Sequence, residues 1–189
     1  TEAIRKGLCS CDTRVDSAIN WLVKEEDEMK LWNPQNANRI FSDEEMTLKS
    51  AFARSINSIA VQLTRECTPD SIVNLAKLMG IRSPLRPIPS IGLGAEDVSL
   101  LDMVIAYSTI VNEGKRLLPV LVTRIEDREG NVLYENKGEA EQVLDYETAF
   151  INAILSSQNP ETGMTTCFQP MATGFFKVYI TPFDHFCCC

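Results

Sequence analysis

Histidine is almost missing from this chain of 189 residues, with His185 the sole example. No Cys-x-x-Cys pair occurs either, so the common zinc spacings have nothing to build on, and neither a metal nor another cofactor is expected. Lys and Arg form no cluster, and a net charge of −8 gives no phosphate-tracking surface, which excludes a nucleic-acid partner. No apolar run is long enough to span a bilayer, and no stretch reads as a signal peptide.

Cysteine is present but odd in number. Cys9 and Cys11 fall in an expected loop, Cys67 closes an expected helix, and Cys167, Cys187, Cys188 and Cys189 lie toward the far end. Free thiols are the expected state; a bridge from Cys9 or Cys11 is the alternative in an oxidising compartment. The rest of the composition, 44% apolar and 23% charged, is that of a folded domain able to bury a substantial core. Acidic runs such as Glu25-Glu26-Asp27-Glu28 and Asp43-Glu44-Glu45 read as solvated faces or loops.

Apolar spacing organises the middle of the chain into helices. Thr47 is a candidate N-cap, and Leu48, Ala51 and Phe52 recur at three-and-four spacing. Ile56, Ile59, Ala60 and Leu63 repeat it, so two short helices or one kinked helix meet at Ser55-Ile56-Asn57. Ser and Asn side chains compete for backbone hydrogen bonds, which suits a junction; by itself the pattern reads as a helix cap.

Further on, Thr68-Pro69-Asp70 predicts a helix with Thr68 as cap and Pro69 at its first position, with Ile72, Leu75, Ala76 and Met79 as its apolar face and Gly80 as its end. Pro84, Pro87 and Pro89 force an extended loop. Ser99, with Asp102 three residues on, opens the next helix, and Gly114 after Asn112 stops it. Residues 118–126 and 131–135 flank Asp127-Arg128-Glu129-Gly130 as a β-hairpin. Asp145 caps a last helix whose Tyr146, Ala149, Phe150, Ala153 and Ile154 are expected to face a core.

The words around the junction resemble a known family. Trp32-Asn33-Pro34-Gln35-Asn36, the run from Met46 to Leu63, Ile88-Pro89-Ser90-Ile91-Gly92-Leu93-Gly94, Val98 to Met103, Ala106-Tyr107-Ser108, Asn112-Glu113-Gly114 and Pro119 follow one another in order. They are similar to the transpeptidase domain of class A penicillin-binding proteins. Thr123 to Asp127 with Gly130-Asn131-Val132 continues the likeness, which covers roughly residues 1 to 156.

That resemblance implies a serine acyltransferase site of three motifs: Ser-x-x-Lys, Ser-x-Asn and Lys-Thr-Gly. Ser55 and Asn57 would be the second motif. Ser55 would help relay a proton toward the leaving amine, and Asn57 would donate its amide to a carbonyl of the stem peptide or of a β-lactam side chain. No Ser-x-x-Lys occurs in the chain; Thr1 to Leu8 resembles the end of the helix that carries it, so the nucleophile and its lysine are expected upstream of Thr1. Thr173-Gly174 resembles a remnant of the third motif, with Ala172 where lysine is required, and is a weak substrate-binding candidate beside the plain reading of a turn.

The implied fold is α+β: a helix-rich partial transpeptidase with the helical lobe and a hairpin, and most of the antiparallel sheet missing. Residues 1–166 would be the partial domain and 167–189 a degenerate or frame-damaged tail. Uncovered sheet edges and helix faces are expected to limit solubility and stability. The implied function is that of a fragment of a peptidoglycan D,D-transpeptidase, at the extracytoplasmic face of a bacterial inner membrane. Its partners would be stem peptides and β-lactam antibiotics, with membrane attachment only through an N-terminal anchor absent from these residues. The alternative is a non-catalytic module, either a degenerate penicillin-binding fold or a helical interaction domain.

Overall fold

The computed structural model of the chain describes residues 1–25, 28–136 and 138–157. The chain opens with a single helical turn, α1 (Glu2–Arg5), held by Arg5 against Glu2 at 2.8 Å, and passes through the loop carrying Cys9 and Cys11. β1 (Thr13–Val15) then waits for a distant partner, while β2 (Trp21–Glu25) and β3 (Glu28–Trp32) pair antiparallel at once. Trp21 stands opposite Trp32 with ring centroids 6.4 Å apart, and the Arg65 guanidinium lies 5.9 Å over Trp21. After the loop at 33–44, β4 (Glu45–Thr47) returns to pair with β1.

The helical lobe follows as the apolar spacing requires. Thr47 caps α2 (Leu48–Ala53), its hydroxyl oxygen accepting from the Ser50 N–H at 3.2 Å. α3 (Asn57–Cys67) and α4 (Pro69–Leu78) come next, and a 3₁₀ turn at Pro89–Leu93 lies against α3. Pro69 takes the first helical position, but Thr68 is not a side-chain cap: it sits at φ 67° and its hydroxyl donates to Ser71 Oγ at 3.0 Å. α5 (Leu100–Val111) is capped by Ser99, whose oxygen accepts from the Asp102 N–H. Asp102 itself turns away to accept from the N–H groups of Arg82 and Ser83 and from Ser83 Oγ at 2.7–3.0 Å, fixing the proline-rich loop on α5.

Beyond α5, β5 (Lys115–Leu117) is followed by the expected hairpin of β6 (Arg124–Glu126) and β7 (Val132–Glu135), then by β8 (Ala140–Gln142), which pairs with β5, and α6 (Tyr146–Ser157). The hairpin is shorter than the sequence suggests, because residues 118–123 form no strand. The β5–β8 pair has no local sequence signal; its register depends on Gly114, whose carbonyl accepts from both Val143 and Leu144. The fold is thus α+β: among the described residues, six helices and four two-stranded antiparallel sheets.

Two apolar clusters hold it together. Met46, Ala51 and Ile59 pack with Leu48 and Ile56 around the α2–α3 corner. Leu75, Met79, Ala106 and Leu144 pack with Ile81, Ile110 and Val143 between α4, α5 and the β5–β8 end. Two expected apolar faces turn outward instead. Phe52 is exposed, and α6 buries Thr148, Ala149 and Asn152 while Tyr146, Phe150 and Ile154 point to solvent. The reason is polar: Asp145 accepts from the Thr148 N–H and hydroxyl at 2.7 Å, and Asn152 donates to the Thr148 carbonyl at 2.6 Å, so the paired polar face can be buried without loss. Leu100, Leu101 and Val104 on α5 are also exposed, the uncovered helix face that the partial fold implies.

Cys9, Cys11 and Cys67 are free thiols, and burial pushes the Cys67 thiol up, making it unreactive. Among the described residues no helix is long and apolar enough to cross a membrane, and no group of three or more His, Cys, Asp or Glu could hold a metal. Thr173, Gly174 and the whole segment from 167 to 189 lie outside the described residues, as does the boundary at 166.

Candidate functional site

The junction between α2 and α3 is a complete helix-terminating turn. Ser55 donates its N–H to the Phe52 carbonyl at 3.1 Å and Ile56 donates to Ala51 at 3.0 Å, while Ser55 adopts the left-handed conformation at φ 53°. That pair of bonds and that backbone are what a C-terminal glycine ordinarily supplies. Here a serine takes the position, at a cost of roughly 1–2 kcal/mol for a residue with a Cβ. The conformation swings the Ser55 side chain out of the helix line, and among the described residues its hydroxyl has no hydrogen-bond partner.

Neither Ser55 nor Asn57 acts as a side-chain cap. The residue preceding α3 is Ile56, and Asn57 is already the first helical residue. Asn57 Nδ2 donates across to the Gln35 carbonyl at 2.9 Å, which fixes the carboxamide's orientation and leaves its oxygen and a second N–H for another molecule. Both side chains border a cavity of about 560 Å³ that is walled also by Phe52, Leu93, Tyr107 and Asn152. A hydroxyl without a partner and a pre-oriented carboxamide, two residues apart on one cavity, can together hold a polar group and pass a proton.

Beneath Asn57 lies a buried polar node that the sequence reading missed. Asp16 Oδ1 accepts from Ser58 Oγ at 2.6 Å and from Asn36 Nδ2 at 2.8 Å; its Oδ2 accepts from the Ser42 N–H at 2.9 Å and Ser42 Oγ at 3.0 Å. Asn36 Oδ1 in turn accepts from the Ser58 N–H at 3.1 Å. Burial pushes the Asp16 carboxyl up, but the bonds from Ser58, Ser42 and Asn36 together outweigh it and hold the group below the usual carboxylate range. Asn36 belongs to a segment singled out in the sequence. Asp16, an isolated acid in a polar stretch, gave no signal, since its partners come from a loop and a helix 20 to 42 residues further on.

The family pattern described as the penicillin binding protein transpeptidase domain matches residues 2–151. A second pattern, beta-L-arabinofuranosidase, GH127 catalytic domain, matches residues 129–189, less than half of the chain and in large part outside the described residues. Penicillin-binding protein 2D of Bacillus subtilis is 35% identical over 147 residues, 78% of this chain and 20% of the relative. The chain therefore spans about a fifth of the length of that curated relative. The crystal structure of penicillin-binding protein 1A from Haemophilus influenzae superposes with a TM-score of 0.70 at 22% identity, over 83% of this chain and 27% of that one. The imipenem acyl-enzyme complex of penicillin-binding protein A from M. tuberculosis gives a TM-score of 0.70 at 18% identity, over 85% and 41%.

Proposed function

The chain belongs to the penicillin-binding protein transpeptidase family, and from that premise we propose that it forms the second-motif wall of a D,D-transpeptidase site. In this reading the parent protein cross-links peptidoglycan stem peptides through a serine acyl-enzyme and is acylated by β-lactams. The observation that carries it is the pairing of Ser55 and Asn57 on one cavity, with the Ser55 hydroxyl unengaged and the Asn57 amide already oriented. Ser55 relays a proton between the catalytic lysine and the leaving amine. Asn57 donates its remaining N–H to a backbone carbonyl of the stem peptide or to the side-chain amide carbonyl of a β-lactam, which holds the substrate in line for attack.

Acyl transfer of this kind needs an activated hydroxyl, and no Ser-x-x-Lys occurs in the 189 residues. These residues alone are expected to be unreactive. The first 166 residues act as the partial domain, with Thr173-Gly174 at most a weak contact for a substrate carboxylate. The reaction takes place at the extracytoplasmic face of the inner membrane, where stem peptides are found. A second reading, a degenerate non-catalytic module, is favoured by one specific feature: Ala172 stands before Thr173-Gly174 where the third motif carries lysine.

A fluorescent penicillin separates the two readings. Covalent labelling is expected for a protein in which a Ser-x-x-Lys segment precedes Thr1, and none for the 189 residues by themselves. If both fail to label while both are folded, the non-catalytic reading stands instead.

A further inference from the structure

We infer that Asp16 is a positioning residue for Asn57, acting through Ser58 and the loop at 33–44. The inference rests on the transpeptidase reading of Ser55 and Asn57 and adds to it a residue outside the helical junction. Consecutive residues at the start of α3 grip consecutive residues of the loop: Asn57 donates to the Gln35 carbonyl at 2.9 Å and the Ser58 N–H to Asn36 Oδ1 at 3.1 Å. The loop's other internal bonds include the Arg39 N–H to the Asn36 carbonyl at 2.8 Å and the Glu44 N–H to Ser42 Oγ at 3.4 Å. Asn36 Nδ2 reaches the Ile40 carbonyl at 2.9 Å, and Asn38 accepts from the Ile40 N–H at 3.0 Å. Two non-glycine residues there, Arg39 and Asp43, sit at φ 60° and 54°, backbone shapes that persist only where the surroundings impose them.

Asp16 imposes them. Its carboxylate gathers donors from both ends of the loop, Asn36 and Ser42, and from α3 through Ser58. Its own backbone ties β1 to the loop's return, donating to the Glu44 carbonyl at 3.0 Å and accepting from the Asp43 N–H at 2.9 Å. Asp16, Asn36 and Ser58 are all buried, at 3%, 5% and 0% exposure, so water cannot replace a lost bond. The Gln35 carbonyl that orients Asn57 is thereby fixed at one residue's remove.

The donor set makes a carboxylate, rather than any polar residue, necessary. An ionised Asp is acceptor-only, and each of its oxygens here faces at least one N–H: Asn36 Nδ2 at Oδ1, the Ser42 N–H at Oδ2. Asn at this position has the same shape but, whichever way it flips, sets an NH₂ against one of those donors. The loop must then shift, carrying Gln35 and the Asn57 amide with it. Displacement of a positioned group by about an ångström costs on the order of 100-fold in rate.

The test is a double-substitution cycle in the full-length protein, read as the acylation rate with fluorescent penicillin alongside the melting temperature. Asp16→Asn is expected to slow acylation by about tenfold or more when Asn57 is present. In the Asn57→Ala background it should slow acylation by less than about twofold. Equal losses in both backgrounds would overturn the inference, because a general loss of folding does not depend on Asn57. If Asp16→Asn does not fold, Ser42→Ala, which drops the Ser42 Oγ bond to Asp16 and keeps the N–H bond, is put through the same cycle with the same criterion. Should Asn57→Ala alone acylate at the parent rate, the transpeptidase reading of Asn57 fails, and this inference falls with it.

Discussion

Replacing Ser55 by glycine should stabilise the protein and impair it. Ser55 holds φ 53° at the end of α2, in a turn closed by its own N–H to Phe52 and by Ile56 N–H to Ala51. Relief of the Cβ in that backbone returns roughly 1–2 kcal/mol. Glycine's larger entropy loss on folding takes back about 0.5–1 kcal/mol. The hydroxyl makes no bond among the described residues, so its removal subtracts nothing. The net gain is about 0–1.5 kcal/mol, a rise of up to roughly 6 °C in Tm for a chain of this size. Ser55→Ala keeps the Cβ and the strain, and should melt within about 0.5 kcal/mol of the parent. Urea denaturation followed by circular dichroism on the parent and both variants measures this directly. A loss of stability in Ser55→Gly, or an equal gain in Ser55→Ala, would refute the claim that strain is stored at this residue.

Two further outcomes follow from the packing and electrostatics. A Cβ on Gly92 would overlap the Thr64 hydroxyl and stand 3.0 Å from Thr64 Cβ, which rotation of the side chain does not move. Gly92→Ala should cost about 2–3 kcal/mol, the upper range for overpacking, and should cost at least about 1 kcal/mol less in a Thr64→Ala background; equal costs in the two backgrounds would contradict the clash. Stability should also fall in acid. The Asp16 carboxyl, raised by burial but lowered further by its hydrogen bonds, and the Asp145 carboxyl, lowered first by the Thr148 N–H, both lie below their unfolded values. Their contribution is complete above the unfolded carboxylate range near pH 4 and is lost as pH falls through the folded values. The urea midpoint should decline from about pH 6 to about pH 3, less steeply in Asp16→Asn; a midpoint that rises on acidification would show the sign to be wrong.

How far the sequence could be read depended on whether a feature was local. Thr47 and Ser99 as caps, Pro69 at a first helical position, and the Asp127–Gly130 turn each answer to residues within a few positions, and each was legible. The faces of α6 were not. Tyr146, Phe150 and Ile154 have the spacing of a buried stripe, but Thr148 and Asn152 satisfy one another and Asp145, so the polar side could be buried as well as Ala149. The site divides the same way. Ser55 and Asn57 stood out because of ordered neighbouring motifs, whereas the left-handed backbone of a serine is invisible to apolar spacing. Asp16 was illegible because its donors come from positions 36, 42 and 58, and only folding brings them onto one carboxylate. Phe52 reads as core in a helical repeat and is exposed, since α2 is only six residues long and turns Ala51 rather than Phe52 toward Ile59.

The central claim, that Ser55 and Asn57 are working parts of an acyl-transfer site, is tested most directly by the acylation rate of the full-length protein with a fluorescent penicillin. Ser55→Ala and Asn57→Ala are each expected to slow it by roughly 100-fold while the melting temperature stays near that of the parent. Acylation at the parent rate in both variants would contradict the claim and leave the junction as a structural turn.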